Sequence, residues 1–96
     1  MPEQEVKLRN PSGLHARPAA AFVRAAGAFT SDVRITNLDR DRAKSASAKS
    51  VLGVMGLGVS RGHRIRIAAE GEDAEAAVRT LVELVSSGLG EELEPE

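Results

Sequence analysis

The sequence predicts one α+β domain in which a four-stranded antiparallel sheet carries three helices on one face, in the order β-α-β-β-α-β-α. Two kinds of segment predict this class. Segments with alternating polar and apolar residues are typical of strands with one buried face, and they are interspersed with segments that have the apolar spacing of amphipathic helices. The strand segments are too short and too alternating for a parallel sheet buried on both faces. A chain of 96 residues has the length of a single domain.

The first half of the chain is expected to contain two strands and a helix. Charged and apolar residues alternate over residues 5–9, which places the apolar ones on one face of a strand. Residues 32–37 alternate again around inward-facing Val33 and Ile35. Between these strands, a helix that ends near Gly27 has apolar residues at the spacing i, i+3, i+4 and i+7, namely Ala19, Phe22, Val23 and Ala26.

The second half is expected to add two strands and two helices. Small residues at alternate positions predict a third strand over residues 43–48. A short helix begins near Ser50, because serine is a favoured N-cap residue, and it ends by Gly56 or Gly58. Residues 64–69 alternate as the fourth strand. The buried stripe of the last helix consists of Ala74, Ala77, Val78, Leu81 and Val85.

The composition excludes several classes of protein and site. The chain has no cysteine, which excludes disulfides and thiolate metal sites and fits a reducing compartment. The longest apolar run, residues 19–23, is too short to span a membrane, and the first residues are acidic where a signal peptide would be basic. We therefore expect a cytoplasmic protein with no membrane partner. No cofactor or metal is expected, and His63 lies in a predicted turn where it should be solvated.

Charge is distributed unevenly along the chain. The formal net charge is −1, but the last six residues contain Glu91, Glu92, Glu94 and Glu96, and removing these four charges raises the remainder to +3. We expect a domain over residues 1–90 followed by a disordered acidic tail over residues 91–96. The mildly basic domain suits an acidic protein partner and is too weakly charged to indicate a nucleic-acid partner.

A candidate phosphate site lies where the turn after the first strand meets the first helix. Residues 10–13 are turn formers, and Pro18 is favoured in the first turn of a helix. His15 therefore lies at a helix N-terminus, where backbone N–H groups favour an anion, and Arg17 adds a positive charge. Neutral imidazole is also a competent nucleophile near pH 7. A single histidine before a helix is more often a solvated residue or a cap, so the pattern alone leaves both interpretations open.

Two motifs taken together resemble a known family. Residues 12–19 (SGLHARPA) and residues 49–58 (KSVLGVMGLG) are similar to the histidine-containing phosphocarrier family, HPr, of the sugar phosphotransferase system. The resemblance extends from Val6 to about Gly90 and implies an open-faced β-sandwich. It implies that His15 accepts a phosphoryl group from enzyme I, which phosphoenolpyruvate charges, and passes it to IIA domains of sugar permeases. Charge on the phosphoryl group would be balanced by Arg17 and by helix N–H groups, with Ala16 and Arg17 as phosphate-binding residues.

The second motif implies regulation and docking. The resemblance matches Ser50 to a serine that an HPr serine kinase/phosphorylase modifies in some bacteria. A phosphate is tolerated at a helix N-terminus, so this modification should not unfold the domain. We expect a docking surface for enzyme I and IIA domains, with packing in the core as the alternative for Val51 and Leu52. The expected docking residues are Leu14, Arg24, Lys49, Val51, Leu52 and Met55.

Other functions stay open on sequence grounds. A regulatory protein-binding module of the catabolite-repression type would act through Ser50 and a transcription regulator, but such relatives lack the active histidine. The segment over residues 38–47 is longer than in most HPr proteins and resembles that of multi-domain phosphotransfer proteins. A carrier dedicated to a dihydroxyacetone kinase system is therefore a further alternative, and a small binding domain with a fortuitous motif is another. A monomer is the simplest expectation.

Overall fold

The computed structural model describes residues 2–91, and these form one antiparallel sheet with three helices, as the sequence predicts. The strand order in the sheet is β1-β4-β2-β3. No helix within this range is long and apolar enough to cross a membrane. The elements are β1 (Glu3–Lys7), α1 (Ala16–Ala26), β2 (Asp32–Asn37), β3 (Ser45–Ser47), α2 (Val51–Gly56), β4 (Arg64–Glu70) and α3 (Ala74–Ser86).

The hydrophobic core lies between one face of the sheet and the helices. Alternate residues of the two central strands are buried: Ile65 and Ile67 in β4, and Val33 and Ile35 in β2. Phe22 of α1 is fully buried against this face, as the helical spacing predicts. The other buried helix residues are Pro18, Ala19 and Ala26 of α1, Val54 of α2, and Ala74, Ala77, Val78, Leu81 and Val85 of α3.

The two edge strands differ from the predicted ranges. Strand β1 pairs with β4 from Glu3, where residue 3 lies opposite Ala68, so it starts two residues earlier than the alternation indicates. Its first three residues are exposed, and a solvated edge strand carries no alternating apolar signal. Strand β3 has only three residues, because residues 41–44 form a turn closed by the bond from the N–H of Lys44 to the carbonyl of Asp41.

A carboxylate joins the start of α3 to the start of β2. Asp73 accepts hydrogen bonds from the backbone N–H groups of Thr30 and Ser31, both at 2.9 Å, and from both hydroxyl groups. These bonds, that from the Ser31 hydroxyl above all, lower the pKa of Asp73 to about 2. Because folding lowers the pKa of Asp73, these bonds stabilise the folded state fully at pH values above the pKa of Asp73 in the unfolded chain. This contribution to stability is lost as the pH falls through about 2.

Asn37, the last residue of β2, binds the loop that connects α2 to β4. Asn37 is buried, and its Nδ2 donates to the carbonyl of Leu57 at 3.2 Å and lies 3.1 Å from Nδ1 of His63. The backbone N–H of Ser60 donates to the same Nδ1 at 3.1 Å, which places the proton of a neutral ring on Nε2. The expectation that His63 is solvated is therefore wrong, because its half-buried ring is an internal acceptor.

Candidate functional site

The turn before α1 is pressed against the chain at Val59 and Ser60. Gly13 has a φ of +58°, and a Cβ atom there would lie 2.8 Å from the Cα of Ser60 and closer still to the carbonyl oxygen of Val59. The N–H of Leu14 donates to that carbonyl at 2.9 Å. Both the conformation and the close approach require glycine. The backbone that leads to His15 is therefore held by the close contact of Gly13 and by the hydrogen bond of Leu14, both with residues 59–60.

His15 is the N-cap residue of α1, and its imidazole is exposed. Its backbone is extended and its carbonyl accepts the N–H of Ala19 at 2.8 Å, whereas its side chain makes no capping hydrogen bond. Helix α1 has no acidic residue in its first turn. The N–H groups of Ala16 and Arg17 have no intrahelical acceptor at this position. The ring and two backbone donors are thus available at the positive end of a helix.

An open groove of about 630 Å³ surrounds the imidazole. Two arginines, Arg17 and Arg61, contribute positive charge to its walls, so the groove suits an anion. Its openness leaves room for a partner protein to bring a reacting group up to the ring. The lining residues are Pro11, Ser12, His15, Ala16, Arg17, Pro18, Ser60, Arg61 and Glu91.

Glu91 closes one side of this groove. Its carboxylate accepts hydrogen bonds from Nδ2 of Asn10 at 2.9 Å, and from the N–H and the hydroxyl of Ser12 at 3.1 and 2.9 Å. These bonds, assisted by the charge of Arg17, lower the pKa of Glu91. The prediction of a disordered tail is therefore wrong for Glu91, because this carboxylate satisfies donors of the turn. Residues 92–96 lie outside the described part of the chain.

The predicted docking residues fall into two groups. Leu52 is 85% exposed and Val51 is 37% exposed on α2, whereas Met55 is half-buried. Leu14 is only 2% exposed and belongs to the hydrophobic core. The prediction that Leu14 contributes to a docking surface is wrong, because the turn that presents His15 to solvent directs the preceding side chain inward.

The remaining predicted site residues lie beside α2 or on α1. Ser50 is the N-cap of α2, and its hydroxyl oxygen accepts the N–H of Gly53 at 3.0 Å. The ammonium group of Lys49 donates to the carbonyl of Phe29 at 2.7 Å. Arg24 is exposed in the last turn of α1. None of the three predicted residues lines the groove around His15.

The site has no cluster of metal ligands in the described part of the chain. No group of three histidine or acidic side chains within residues 2–91 is placed to hold a metal ion.

Curated relatives match most of this chain. The multiphosphoryl transfer protein of Haemophilus influenzae is 46% identical over 84 residues, which cover 88% of this chain and 17% of the relative. A protein of that description from Salmonella typhimurium is 44% identical over 87 residues, covering 91% of this chain and 23% of the relative. The HPr-like protein Crh of Bacillus subtilis is 45% identical over 85 residues, which cover 88% of this chain and 95% of Crh. The chain thus spans about a fifth of the multiphosphoryl relatives and nearly all of Crh.

Solved structures and a family model agree with these relatives. The crystal structure of HPr-C-His from Thermoanaerobacter tengcongensis has a TM-score of 0.89 and 44% identity, covering 97% of this chain and 100% of that one. The structure of the phosphocarrier protein HPr from Bacillus anthracis has a TM-score of 0.81 and 39% identity, covering 88% of this chain and 95% of that one. Residues 2–87 match the model for the PTS HPr component phosphorylation site. The chain belongs to the HPr family of phosphocarriers of the phosphotransferase system.

Proposed function

We propose that His15 accepts a phosphoryl group from phosphorylated enzyme I and passes it to a IIA domain. The observation that carries this proposal is an exposed imidazole, free of any capping bond, at the N-terminus of α1 in a groove shared with Arg17. The family of the chain supports the same role. The partners are those that the family implies, and the site faces an open surface that a protein can cover.

The transfer step needs little from the protein beyond position and charge. A ring nitrogen of neutral His15 attacks phosphorus while the bond from phosphorus to the donor atom breaks in line with it. The proton on the other ring nitrogen stays in place. Arg17 and the first-turn N–H groups offset the negative charge of the phosphoryl oxygens. An exposed groove also lets a second partner approach phosphohistidine from the same side and remove the group.

Reconstitution of the relay tests this function. Enzyme I, phosphoenolpyruvate, magnesium and a IIA domain are incubated with and without the chain, and phosphorylation of the IIA domain is followed by mass spectrometry. We expect phosphorylated IIA only when the chain is present. A chain that becomes phosphorylated but does not charge IIA would direct the search to another acceptor, such as a component of a dihydroxyacetone kinase system. A chain that enzyme I cannot phosphorylate would overturn the proposal.

Removing the guanidinium of Arg17 should slow transfer without unfolding the domain. Arg17→Ala is expected to lower the rate of His15 phosphorylation about ten- to a hundredfold, because a hydrogen bond to a charged group contributes roughly 1.5–3 kcal/mol. Its Tm should stay close to that of the wild type, since the residue is exposed. Quenched-flow transfer from enzyme I measures the rate. Arg79→Ala, an exposed arginine on α3, is the matched control, and equal rates for both variants would refute a role for Arg17.

We propose that the exposed side of α2 contributes to docking of the partners. Leu52 and Val51 provide apolar surface there, and Met55 lies next to it, half-buried. Such exposed apolar side chains on a small domain favour contact with another protein. Arg24 and Lys49 would add positive charge at the margin of this surface. Helix α1, which carries His15 at its start, packs beside α2, so docking here leaves the imidazole accessible to the same partner.

Phosphorylation of Ser50 is proposed as a control of this docking. The hydroxyl oxygen already accepts the N–H of Gly53, so a phosphate could keep accepting from the helix N-terminus. It would place negative charge beside Leu52. The chain is 45% identical to Crh, which a solved structure describes as the catabolite repression HPr of Bacillus subtilis, and this favours a regulatory role as a second function.

A charge at residue 50 should weaken transfer and preserve the fold. Ser50→Asp keeps an N-cap acceptor, so we expect a Tm near that of the wild type. We expect kcat/KM for phosphorylation by enzyme I to fall about tenfold, equivalent to about 1.4 kcal/mol, because a charge is added to the docking surface. Thr80→Asp, which adds the same charge on exposed α3, is the control. Equal kcat/KM for Ser50→Asp and the control would contradict the proposed control of docking.

A further inference from the structure

A second, smaller cleft lies next to the groove around His15. Its volume is about 200 Å³, and His15 and Ser60 line both the cleft and the groove. The imidazole can therefore be approached from two depressions with different walls. The residues that line the cleft are Leu14, His15, Arg40, Met55, Gly58, Val59 and Ser60.

The cation in this cleft, Arg40, is held against the backbone of Gly58. The segment between β2 and β3 carries Arg40, whose N–H donates to the carbonyl of Asn37 at 3.3 Å. A Cβ atom on Gly58 would lie 3.0 Å from Cζ of Arg40 and would collide with Nη1. Gly58 has a φ of +62°, so its conformation also favours glycine. The missing side chain at this position makes room for the guanidinium in the cleft that His15 also lines.

The acidic neighbours of Arg40 are engaged elsewhere. The carboxylate of Asp39 accepts the N–H of Arg64 at 2.7 Å and forms an ion pair with its guanidinium at 3.5 Å. Asp41 accepts the N–H of Ala43 at 3.0 Å. Within residues 2–91, the guanidinium of Arg40 makes neither a hydrogen bond nor an ion pair. It therefore presents unused, fork-shaped donors to the cleft that His15 also lines.

We propose that Arg40 is a second guanidinium ligand of the phosphoryl group carried on His15. This inference rests on the proposed function. Arg17 and the helix N–H groups bind phosphoryl oxygens from the groove, and Arg40 binds them from the cleft. The planar guanidinium matches two phosphoryl oxygens at once. Arg40 exchanges no atoms in the step: phosphorus gains its bond to the ring nitrogen of His15 as it loses its bond to the donor.

Variants of Arg40 test this assignment on the intact chain. We expect Arg40→Ala to slow phosphorylation by enzyme I about tenfold, as loss of a charged hydrogen bond would. We also expect it to shift the 31P resonance of the phosphohistidine and to change its rate of hydrolysis. Arg40→Lys keeps the charge and loses the bidentate geometry of the guanidinium, so its phosphorylation rate should lie between those of the wild type and Arg40→Ala. Arg42→Ala is the matched control, because Arg42 is exposed on the same segment and does not line the cleft.

Each outcome separates this assignment from the function on which it rests. If the wild type is phosphorylated on His15 and Arg40→Ala matches Arg42→Ala in rate, 31P shift and hydrolysis, the assignment is overturned and the proposed function stands. If Arg40→Ala slows transfer but leaves the 31P shift and hydrolysis unchanged, Arg40 contacts the partner protein, and the assignment is again overturned. If the wild type accepts no phosphoryl group, both fail. Thermal unfolding of each variant verifies that it is folded.

Discussion

His15→Ala is expected to abolish phosphoryl transfer through this chain and to leave its fold unchanged. The variant lacks the only group that we place as the nucleophile in the groove, so no acid-labile phosphoryl group should form. The imidazole is exposed and makes no capping hydrogen bond, so the domain loses little when it is removed. We expect a Tm within about 4 °C of the wild type, as for most surface substitutions. Phosphorylation is measured by intact mass and stability by thermal unfolding.

The other histidine of the chain provides a matched control for that variant. His63 is half-buried, and its Nδ1 accepts the N–H of Ser60, so its ring cannot attack a phosphoryl group from that nitrogen. His63→Ala should still take up an acid-labile phosphoryl group but should unfold at a lower temperature, because it leaves internal donors unpaired. Transfer through His15→Ala, or its loss only in His63→Ala, would contradict the assignment of the nucleophile.

Gly13→Ala is expected to produce the largest loss of stability among the variants described. The added Cβ would meet the backbone of Val59 and Ser60, and the φ of +58° disfavours any residue with a side chain. We expect a loss of roughly 2–4 kcal/mol in the free energy of unfolding, because both the left-handed conformation and the clash oppose the substitution. For a domain of this size, that loss lowers Tm by about 10–20 °C.

A second glycine tests whether this loss is specific to the turn. Gly56 is exposed in α2, and a Cβ there would meet nothing within 4 Å. Gly56→Ala should be neutral or stabilising by up to about 1 kcal/mol, because alanine favours a helix more than glycine does. Denaturant unfolding of both variants provides the comparison. A Gly13→Ala protein as stable as Gly56→Ala would mean that the turn does not pack against residues 59–60 as described.

The parts of the fold that the sequence predicts well are those whose side chains meet the core. Strand β2 spans the predicted residues 32–37, because its alternation of Val33 and Ile35 reflects one buried face. The alternation places edge strand β1 two residues too late, since its pairing with β4 uses backbone groups and leaves exposed side chains free to vary. The alternation of polar and apolar residues indicates which side chains are buried, and it does not indicate where a solvated edge strand forms backbone hydrogen bonds.

The residues of the candidate site also differ in how far the sequence predicts them, according to whether they are close together in the chain or only in the fold. A turn, a proline and a helix start within a few residues of each other indicate a candidate anion site at His15 and Arg17, and the family resemblance assigns their roles. Ser60, Arg61 and Glu91 reach the groove only through tertiary packing, and no local pattern marks them. Glu91 in particular lies in a charged run that suggests a solvated tail, whereas its carboxylate is bound by the turn.

The orientation of single side chains was the least predictable feature. Leu14 is apolar and adjoins the nucleophile, which is equally typical of a docking residue and of a core residue. Its burial follows from the bond between its N–H and Val59, a contact made 45 residues away in the sequence. Arg40 was not singled out by sequence, because only packing against Gly58 brings it to the cleft.

Intact-mass spectrometry of the wild-type chain tests the central claim most directly. The chain is incubated with enzyme I, magnesium and phosphoenolpyruvate, and its mass is recorded before and after mild acid. We predict the addition of one phosphoryl group that acid removes. Proteolysis at alkaline pH followed by fragmentation of the peptides should locate this group on His15. An adduct that survives acid, an adduct on another residue, or no adduct with a cognate enzyme I would contradict the claim that His15 carries the phosphoryl group.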